Sequence, residues 1–268
     1  MSKINLRFGD RDPGRKIQLP RALAGVLLGA LCLAGCPPRP GPTTVPIPSA
    51  RQAGAPGNRC LVVLLPGIGD GKEDFQRQGF VRAFKDRGSP CELIALDSHF
   101  GYYANGSIVD RLHEDVIAPA RARGVERIWL AGISLGGLGA ALYARDRPGE
   151  VDGLVLLSPY LGDDEILDEI EKAGGPRAWR PASVPGERDL RGLWAWLQGY
   201  GVPGAERPPT LLGFGDSDRL RRSHRMLASL LPPDRVLHTH GGHTWHAWRR
   251  LWRQVLATGA LDGKGTIR

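Results

Sequence analysis

The sequence has few of the features that are typical of a metalloprotein, a cofactor-binding protein or a repeat protein. It contains four cysteines and seven histidines among 268 residues, and these side chains form no cluster at metal-ligand spacing. No internal repeat is visible. Gly67 and Gly69 could be mistaken for part of a dinucleotide-binding loop, but the third glycine and the distal acidic residue are not at the expected spacing. The sequence therefore implies no metal and no cofactor.

Uncharged apolar runs near the start are short for a membrane-spanning helix. The longest covers residues 22–34, whereas a comfortable span needs about 20 residues. Six basic residues precede this run, and Leu33-Ala34-Gly35-Cys36 ends it. Positive, apolar and small-residue regions in this order predict that residues 1–35 are an export signal.

The end of this signal resembles the lipobox of bacterial lipoproteins. The resemblance implies that Cys36 receives a diacylglyceryl group and becomes the mature N-terminus. The protein would then be anchored by lipid in the bacterial cell envelope, with its domain facing the periplasm or the exterior. An ordinary cleaved signal, or a membrane anchor that happens to contain Cys32 and Cys36, is the alternative. Residues 36–58 contain seven prolines and are predicted to form an extended tether before a domain at 59–268.

A strong charge of one sign is also lacking once the signal is removed. Residues 1–35 carry six basic and two acidic side chains, so their loss reduces the formal net charge from +8 to +4. A mildly basic domain does not indicate a nucleic-acid partner. Two groups of arginines, within 219–225 and 249–253, recur at helical spacing. They form either solvated helix faces or a contact with anionic lipid headgroups.

From residue 60 onward, buried-type strands alternate with helical segments. This alternation predicts an α/β fold with a mostly parallel sheet of about six strands and helices on both faces. Strands are predicted at 60–65, 92–96, 126–131, 152–158, 209–214 and 235–240. Helices are predicted at about 73–87, 107–123, 135–146, 219–230 and 243–257. The gap at about 159–208 interrupts the rhythm and contains several tryptophans, which indicates a cap insertion over the ligand-binding edge.

Two cysteines remain in the predicted domain, and each begins an apolar strand. Cys60 and Cys91 would lie at the same edge of the sheet, because parallel strands joined by one helix are often neighbours. In an exported protein these residues form either a disulfide or two free buried thiols. Both positions are at the end of the sheet opposite the predicted chemistry.

The most informative motif is Gly132-Ile133-Ser134-Leu135-Gly136, which stands between a predicted strand and a small-residue helix. A serine at the apex of such a turn is exposed at the start of a helix, and the glycines allow the strand and helix to pack closely. Exposure alone does not make serine a nucleophile. A base and a carboxylate that orients the base are also needed.

Both groups follow along the chain, in the order Ser134, Asp218, His243. With this order, residues 60–257 resemble the α/β-hydrolase superfamily, and the resemblance implies that these three residues form a catalytic triad. Asp216 is the close rival for the acid, with a role in capping a turn or helix as its alternative. Asp163 and Asp164 are more distant candidates. The glycines at 241 and 242 would let a loop carry His243 to the serine.

The resemblance also implies an oxyanion hole and a substrate pocket. The backbone N–H groups of Ile68 and Leu135 are assigned to the oxyanion hole, although Pro66 stands where the family often has histidine. Aromatic residues after the predicted strands, namely His99, Tyr102 and Tyr160, could line the pocket. Packing within their own loops is the alternative for these side chains.

The function implied is a serine hydrolase of the carboxylesterase or lipase kind, acting on a small-molecule ester with an apolar portion. Thioester or amide cleavage, and transfer of the acyl group to an acceptor other than water, stay open. A second hypothesis is an envelope lipoprotein that keeps the hydrolase fold for binding without turnover. The sequence does not indicate the oligomeric state.

Overall fold

The computed structural model of the protein describes residues 42–181 and 190–262. The predicted export signal and the predicted lipidation site, Cys36, lie outside the described residues. Within the described ranges, no helix combines the length and the apolar character that a bilayer crossing requires.

A seven-stranded sheet forms the centre of the molecule, with strand order β1-β3-β2-β4-β5-β6-β7. Its strands are β1 Ser49–Gln52, β2 Cys60–Leu65, β3 Glu92–Leu96, β4 Arg127–Ile133, β5 Gly153–Leu157, β6 Thr210–Gly215 and β7 Val236–Thr239. Only β1 is antiparallel to its neighbour. The predicted mostly parallel α/β sheet is confirmed, and each of the six predicted strands is present.

Strand β1 is the one that the sequence analysis missed, and it lies within the segment predicted to be a tether. Its sequence, Ser-Ala-Arg-Gln, has no apolar alternation, and its residues are largely exposed. The strand depends instead on pairing with β3, where Ser49 stands opposite Leu96. The Asp97 N–H also donates to the Pro48 carbonyl at 2.8 Å. Backbone pairing at a sheet edge carries no side-chain signature, which explains the omission.

Ten α-helices occur in the described ranges. They are α1 Lys72–Arg77, α2 Phe80–Asp86, α3 Phe100–Ala104, α4 Ile108–Leu112, α5 Ala118–Ala122, α6 Leu135–Asp146, α7 Asp164–Lys172, α8 Leu190–Leu197, α9 Arg221–Ala228 and α10 Trp245–Ala257. A π-helical turn, His113–Ile117, joins α4 to α5. Pro119 has no N–H for the carbonyl four residues earlier, so the helix widens before it.

Two apolar layers hold the helices against the two faces of the sheet. One face packs against α1, α2 and α10 through large aromatic side chains, which include Phe75, Phe80, Phe84, Trp248 and Trp252. The other face packs against α3 to α9 and contains Tyr102, Tyr103, Tyr143, Trp179 and Trp194. Strands β2, β5 and β6 are buried along their whole length, and β4 is buried after its first residue, Arg127. Burial on both faces is the reason that these strands are continuous apolar runs in the sequence.

A disulfide joins Cys60 to Cys91, with their Cα atoms 4.7 Å apart. The two cysteines stand at the amino ends of β2 and β3, because these parallel strands pair in register, with Leu61 opposite Glu92. This edge of the sheet is opposite the carboxyl ends from which the loops of the candidate site emerge.

The insertion between β5 and β6 contains α7 and α8. Two of its tryptophans are structural: the Trp194 indole N–H donates to the Leu161 carbonyl at 2.7 Å, and that of Trp179 donates to Glu169 at 2.9 Å. Both rings are almost completely buried. The two bonds lie within the insertion, and the two rings are part of the apolar layer that packs against the sheet.

Candidate active site

Ser134 occupies a strained turn between β4 and α6. Its backbone angles are φ 52° and ψ −112°, a conformation that a non-glycine residue adopts only at a cost of roughly 1–3 kcal/mol. The flanking glycines are sterically required. A Cβ at position 132 would lie 2.1 Å from the Gly136 carbonyl oxygen, and one at position 136 would lie 2.2 Å from the Leu65 oxygen. The two glycines of the motif are therefore needed because the backbones of β4, α6 and β2 pack against one another without side chains between them.

A second close backbone approach positions the loop that carries His243. A Cβ on Gly215, the last residue of β6, would lie 2.0 Å from the Gly241 carbonyl oxygen. Gly241 itself has φ 118°, which favours glycine. The loop therefore folds directly against the end of β6, and His243 reaches the carboxyl edge of the sheet beside Ser134.

The three residues of the predicted triad meet at this edge. Ser134 Oγ lies 2.9 Å from His243 Nε2. On the other side of the ring, His243 Nδ1 lies 3.0 Å from Asp218 Oδ1 and 3.1 Å from Oδ2. With Nδ1–H donating to the carboxylate, Nε2 is left to accept the serine proton. The imidazole ring also packs against Trp248, with ring centroids 5.0 Å apart and the ring planes nearly perpendicular.

The carboxyl of Asp218 is buried and remains ionised. Burial acts to raise its pKa, but the bond from His243 and the Leu220 N–H outweigh burial and hold the pKa at about 2. The Leu220 N–H donates to Oδ1 at 2.8 Å. A carboxylate in this position can hold the neighbouring imidazole in one orientation and one tautomer.

Asp216, the rival acid, faces a different part of the same loop. It is exposed to solvent and accepts the Gly241 N–H at 2.9 Å and the His240 Nδ1–H at 2.8 Å. These bonds, with that from Gly241 as the largest influence, lower the pKa of Asp216 to about 2. Asp216 therefore fixes the backbone that leads into His243 without contacting the imidazole of His243.

The two remaining acid candidates belong to the insertion. Asp163 caps α7 by accepting the Ile166 N–H at 3.4 Å. Asp164 is exposed and pairs with Arg222 at 3.5 Å. Neither carboxylate contacts His243.

The predicted oxyanion loop is a tight turn over residues 67–70. The Asp70 N–H donates to the Gly67 carbonyl at 3.2 Å, and Gly69 has φ 82°, as the third position of a type II turn requires. A Cβ on Gly67 would lie 3.6 Å from the Cβ of Ser134, so the turn lies beside the serine. Within the described chain, no acceptor takes the N–H of Ile68 or of Leu135. Both donors are therefore available to a developing oxyanion.

Sequence reasoning missed the bond that joins the oxyanion turn to the histidine segment. The Trp245 indole N–H donates to Asp70 Oδ1 at 3.1 Å, while Oδ2 would lie 3.1 Å from a Cβ on Gly67. Burial raises the pKa of Asp70, and the bond from Trp245 opposes that effect. The sequence hints at this bond only through the positions of its two residues. Asp70 follows the glycine turn, and Trp245 follows His243 by two residues.

A buried pair behind the triad was also missed. Ser158 is completely buried with φ 48°, and the following Pro159 carbonyl accepts a bond from His224 Nε2 at 2.9 Å. Burial lowers the pKa of His224 to about 4, so its ring is neutral at pH 7. Next along the chain, the Tyr160 N–H donates to the Ser134 carbonyl at 2.9 Å. Residues 158–160 thus connect the nucleophile turn to α9.

The three predicted pocket residues have different surroundings. Tyr102 is fully buried, and its hydroxyl bonds the N–H and carbonyl of Thr44 at 3.0 and 2.7 Å. The pocket assignment for Tyr102 is therefore corrected, because this side chain fastens the segment before β1 to α3. His99 accepts the Gly101 N–H at 3.1 Å as the cap of α3. Tyr160 is partly buried and directly adjoins Ser134 through the backbone bond described above.

No group of three or more metal-ligating side chains occurs among residues 42–181 and 190–262. The arrangement in the described chain is thus a serine, an imidazole and a carboxylate, with two free backbone donors beside them. Such a site can transfer a proton and stabilise an oxyanion with the chain's own groups.

The profile of the Alpha/beta hydrolase family matches residues 62–263. The chain belongs to the α/β-hydrolase family. The matched range includes all three residues of the triad and the complete sheet except β1 and the first two residues of β2. No protein of curated function matches this sequence closely enough to count as a relative.

Solved structures with the same fold are distant in sequence. The structure of an S-formylglutathione hydrolase from Staphylococcus aureus is 17% identical with a TM-score of 0.52, over 77% of this chain and 82% of the other. Est1E from Butyrivibrio proteoclasticus, solved with ferulic acid bound, is 16% identical with a TM-score of 0.55, over 81% and 95%. An arylesterase structure is 19% identical with a TM-score of 0.51, over 84% of this chain and 87% of the other. These similarities establish the α/β-hydrolase fold.

Proposed function

We propose that the protein is a serine hydrolase that cleaves a carboxylic ester through an acyl-enzyme on Ser134. The observation that carries this proposal is the chain of contacts from Ser134 through His243 to Asp218, at 2.9 and 3.0 Å. A serine hydroxyl becomes a usable nucleophile when a neutral imidazole accepts its proton and a buried carboxylate orients that imidazole. Each of these three groups is present in the required order.

In the proposed first step, Ser134 Oγ attacks the carbonyl carbon of the ester while His243 Nε2 takes the serine proton. Asp218 stabilises the imidazolium that forms, because its carboxyl is ionised with a pKa of about 2. The Ile68 and Leu135 N–H groups donate to the oxyanion, where losing one donor typically costs about 3 kcal/mol. The imidazolium then protonates the leaving alcohol, and the acyl group remains on Ser134.

In the second step, His243 removes a proton from water, and the resulting attack on the acyl-enzyme releases the acid and restores the serine. The acceptor of the acyl group distinguishes a hydrolase from an acyltransferase. Water is the proposed acceptor here.

The proposed substrate is a small ester with an apolar or aromatic portion. Tyr160 is a candidate wall for that portion, since it adjoins Ser134 and burial raises its pKa to about 12, which leaves its ring uncharged. The structures with the same fold include Est1E with ferulic acid bound and an arylesterase, which supports testing aromatic esters first. The S-formylglutathione hydrolase among them supports testing a thioester beside each ester.

Fluorophosphonate labelling tests the nucleophile. We expect one equivalent of probe on Ser134 of the folded protein and none on Ser134→Ala. Ser107→Ala is the matched control, because the Ser107 hydroxyl bonds Asn105 at the start of α4, on an element that carries no residue of the triad, and this variant should label like the wild type. A folded wild-type protein that fails to react, or a Ser134→Ala variant that reacts equally well, would contradict the assignment.

A panel of p-nitrophenyl esters of increasing chain length, with matched thioesters, tests the substrate class. We expect turnover of at least one ester, with kcat/KM above that of its matched thioester. A preference for the thioester would instead indicate a thioesterase. The absence of turnover with any substrate, combined with capture of a partner, would favour the non-catalytic binding lipoprotein.

We also propose that the protein is attached to the bacterial cell envelope by a lipid on Cys36. Support comes from the sequence alone, through the lipobox-like Leu33-Ala34-Gly35-Cys36 and the prolines that follow. Mass spectrometry of the mature N-terminal peptide should show a diacylglyceryl cysteine at position 36. Cys36→Ala should abolish this modification, whereas an unmodified mature terminus in the wild type would contradict the anchor.

A further inference from the structure

An arginine-rich groove lies between α2 and α10, on a flank of the molecule that the proposed reaction does not use. The groove has a volume of about 670 Å³, and Asp86 is the one carboxylate among the described residues that line it. Five arginines surround it: Arg77, Arg82, Arg87, Arg249 and Arg253. Planar guanidinium groups converging on one groove favour a phosphate-bearing ligand, because each can donate two parallel hydrogen bonds to phosphate oxygens.

Two of these arginines have no partner in the described part of the chain. Arg249 and Arg253 are exposed on α10, four residues apart, so their like charges face the same side of the helix and repel each other. The other three have carboxylate partners: Arg77 pairs with Asp74, Arg82 with Asp86 at 3.6 Å, and Arg87 with Asp262 at 3.1 Å. An anion between α2 and α10 would relieve the repulsion on α10.

The groove has a rigid aromatic floor. The rings of Phe80 and Trp252 are stacked with centroids 5.2 Å apart and planes 11° from parallel. The Trp252 indole N–H also donates to the Phe80 carbonyl at 3.0 Å. Because this floor holds α2 against α10, the spacing of the arginines is set before any ligand binds.

An apolar depression adjoins the groove and points to a lipid rather than a free phosphate. The depression has a volume of about 500 Å³ and lies between β1 and α1, with Arg77 in the lining of both features. Its apolar side chains are Ala50, Val81, Leu93 and Ala95. Apolar surface next to a row of cations matches the amphipathic character of a phospholipid surface.

The position of the depression supports the same partner. Residue 50 belongs to β1, which lies within the segment predicted to be a tether, so the flank includes the part of the described chain nearest to the proposed anchor. If the tether holds the domain close to a membrane, the high effective concentration makes even a weak surface contact productive.

We propose that the flank formed by β1, α1, α2 and α10 docks on an anionic phospholipid surface, with lipid phosphates in the arginine groove. This proposal depends on the proposed lipid anchor only for the affinity with which the domain docks. The groove supplies its own attraction to anionic headgroups, and this attraction is screened by salt.

Arginine labelling of the full chain in vesicles tests the docking. The protein is reconstituted with vesicles of phosphatidylcholine alone or of phosphatidylcholine containing phosphatidylglycerol, and phenylglyoxal modification is followed by peptide mass spectrometry. We expect Arg249 and Arg253 to react on the order of tenfold more slowly with the anionic vesicles. Arg219 and Arg225 are the internal control, because they are exposed on the other side of the sheet and should react equally in both vesicles. High salt should remove the difference.

Paired variants test the groove itself. In Arg249→Gln/Arg253→Gln, the lipid-dependent protection of Arg82 should be lost, while Arg219→Gln/Arg225→Gln, with the same net charge, should retain it. Equal labelling of the groove arginines in both vesicle types would overturn the proposal. Equal protection by millimolar inorganic phosphate with neutral vesicles would also overturn it, because the groove would then be a site for free phosphate.

Sedimentation of the same samples separates docking from anchoring. Sedimentation with both vesicle types, together with groove protection only in the anionic ones, supports both proposals. Sedimentation with the anionic vesicles alone supports docking and contradicts the anchor. Protein that stays in the supernatant of anionic vesicles at low salt contradicts docking.

Discussion

Trp245 donates its indole N–H to Asp70 at 3.1 Å, and this one bond joins the turn that carries Ile68 to the segment that carries His243. The two halves of the proposed machinery come from residues far apart in the chain. Beyond the sheet itself, their relative position depends on this contact and on the rings that surround Trp245, which lie 5.7 Å from Phe75 and 5.5 Å from Phe80.

Asp70→Asn and Trp245→Phe separate the charge of Asp70 from the bond that it accepts. The side-chain oxygen of an asparagine at position 70 could still accept the Trp245 N–H in the place of Asp70 Oδ1. Asp70→Asn should therefore keep kcat/KM within about tenfold of the wild type. Trp245→Phe keeps the charge and the aromatic packing but removes the donor, so it should lower kcat/KM more than Asp70→Asn does. Steady-state ester hydrolysis compares the two variants, and a larger loss in Asp70→Asn would show that the charge matters more than the bond.

The two aspartates after β6 should differ sharply in their contribution to activity. Asp218→Asn replaces the carboxylate that fixes the imidazole tautomer, and we expect kcat/KM to fall by roughly 10⁴-fold. Asp216→Asn can still accept the Gly241 N–H, so its loss should stay within about tenfold. Ester hydrolysis at a fixed pH compares the two variants directly. The reverse order would make Asp216 the triad acid.

His224 should make the fold less stable in mild acid. Its pKa is about 4 in the folded protein and about 6.5 in an unfolded chain. Between these values the unfolded state binds the proton and the folded state does not, so stability falls as pH decreases from 6.5 to 4. This group alone should lower the free energy of unfolding by about 2 kcal/mol between pH 7 and pH 5.

Urea unfolding at the two pH values measures this change. His224→Gln can still donate to the Pro159 carbonyl but does not titrate, so it should lose most of the pH dependence in this window. A variant with the same pH dependence as the wild type would assign the effect to other groups.

Loss of the disulfide should lower the free energy of unfolding without changing the reactivity of the candidate active site. Cys60 and Cys91 are 31 residues apart, and closing a loop of this size contributes between about 3 and 4 kcal/mol in the chain-entropy account. We expect a lower urea midpoint for Cys60→Ser/Cys91→Ser, with fluorophosphonate labelling of the folded variant unchanged. Loss of labelling in a variant that is still folded would contradict the conclusion that the disulfide, at one edge of the sheet, does not affect the active site at the opposite edge.

The sequence predicted those features whose physical requirements are local. Gly132 and Gly136 flank Ser134 because a Cβ at either position would lie about 2 Å from a backbone oxygen, and a strand, a sharp turn and a helix are each visible in the residue types. The buried strands were equally clear, because burial on both faces demands continuous apolar runs.

The features that the sequence did not reveal depend on partners distant in the chain. Strand β1 has no apolar pattern, since backbone bonds to β3 define it. Tyr102 looked like a pocket residue, but its hydroxyl bonds Thr44, which is 58 positions away. Asp216 and Asp218 are chemically identical and adjacent to the same loop. Only coordinates separate the carboxylate that bonds Gly241 from the one that bonds His243.

Trapping of the acyl-enzyme tests the central claim most directly. The protein is mixed with a p-nitrophenyl ester, quenched in acid within the first turnover, and digested for peptide mass spectrometry. The account predicts a burst of p-nitrophenol and one acyl group on the peptide that contains Ser134, with both lost in His243→Ala. Ester turnover without any acyl group on Ser134, or with the acyl group on another residue, would contradict it.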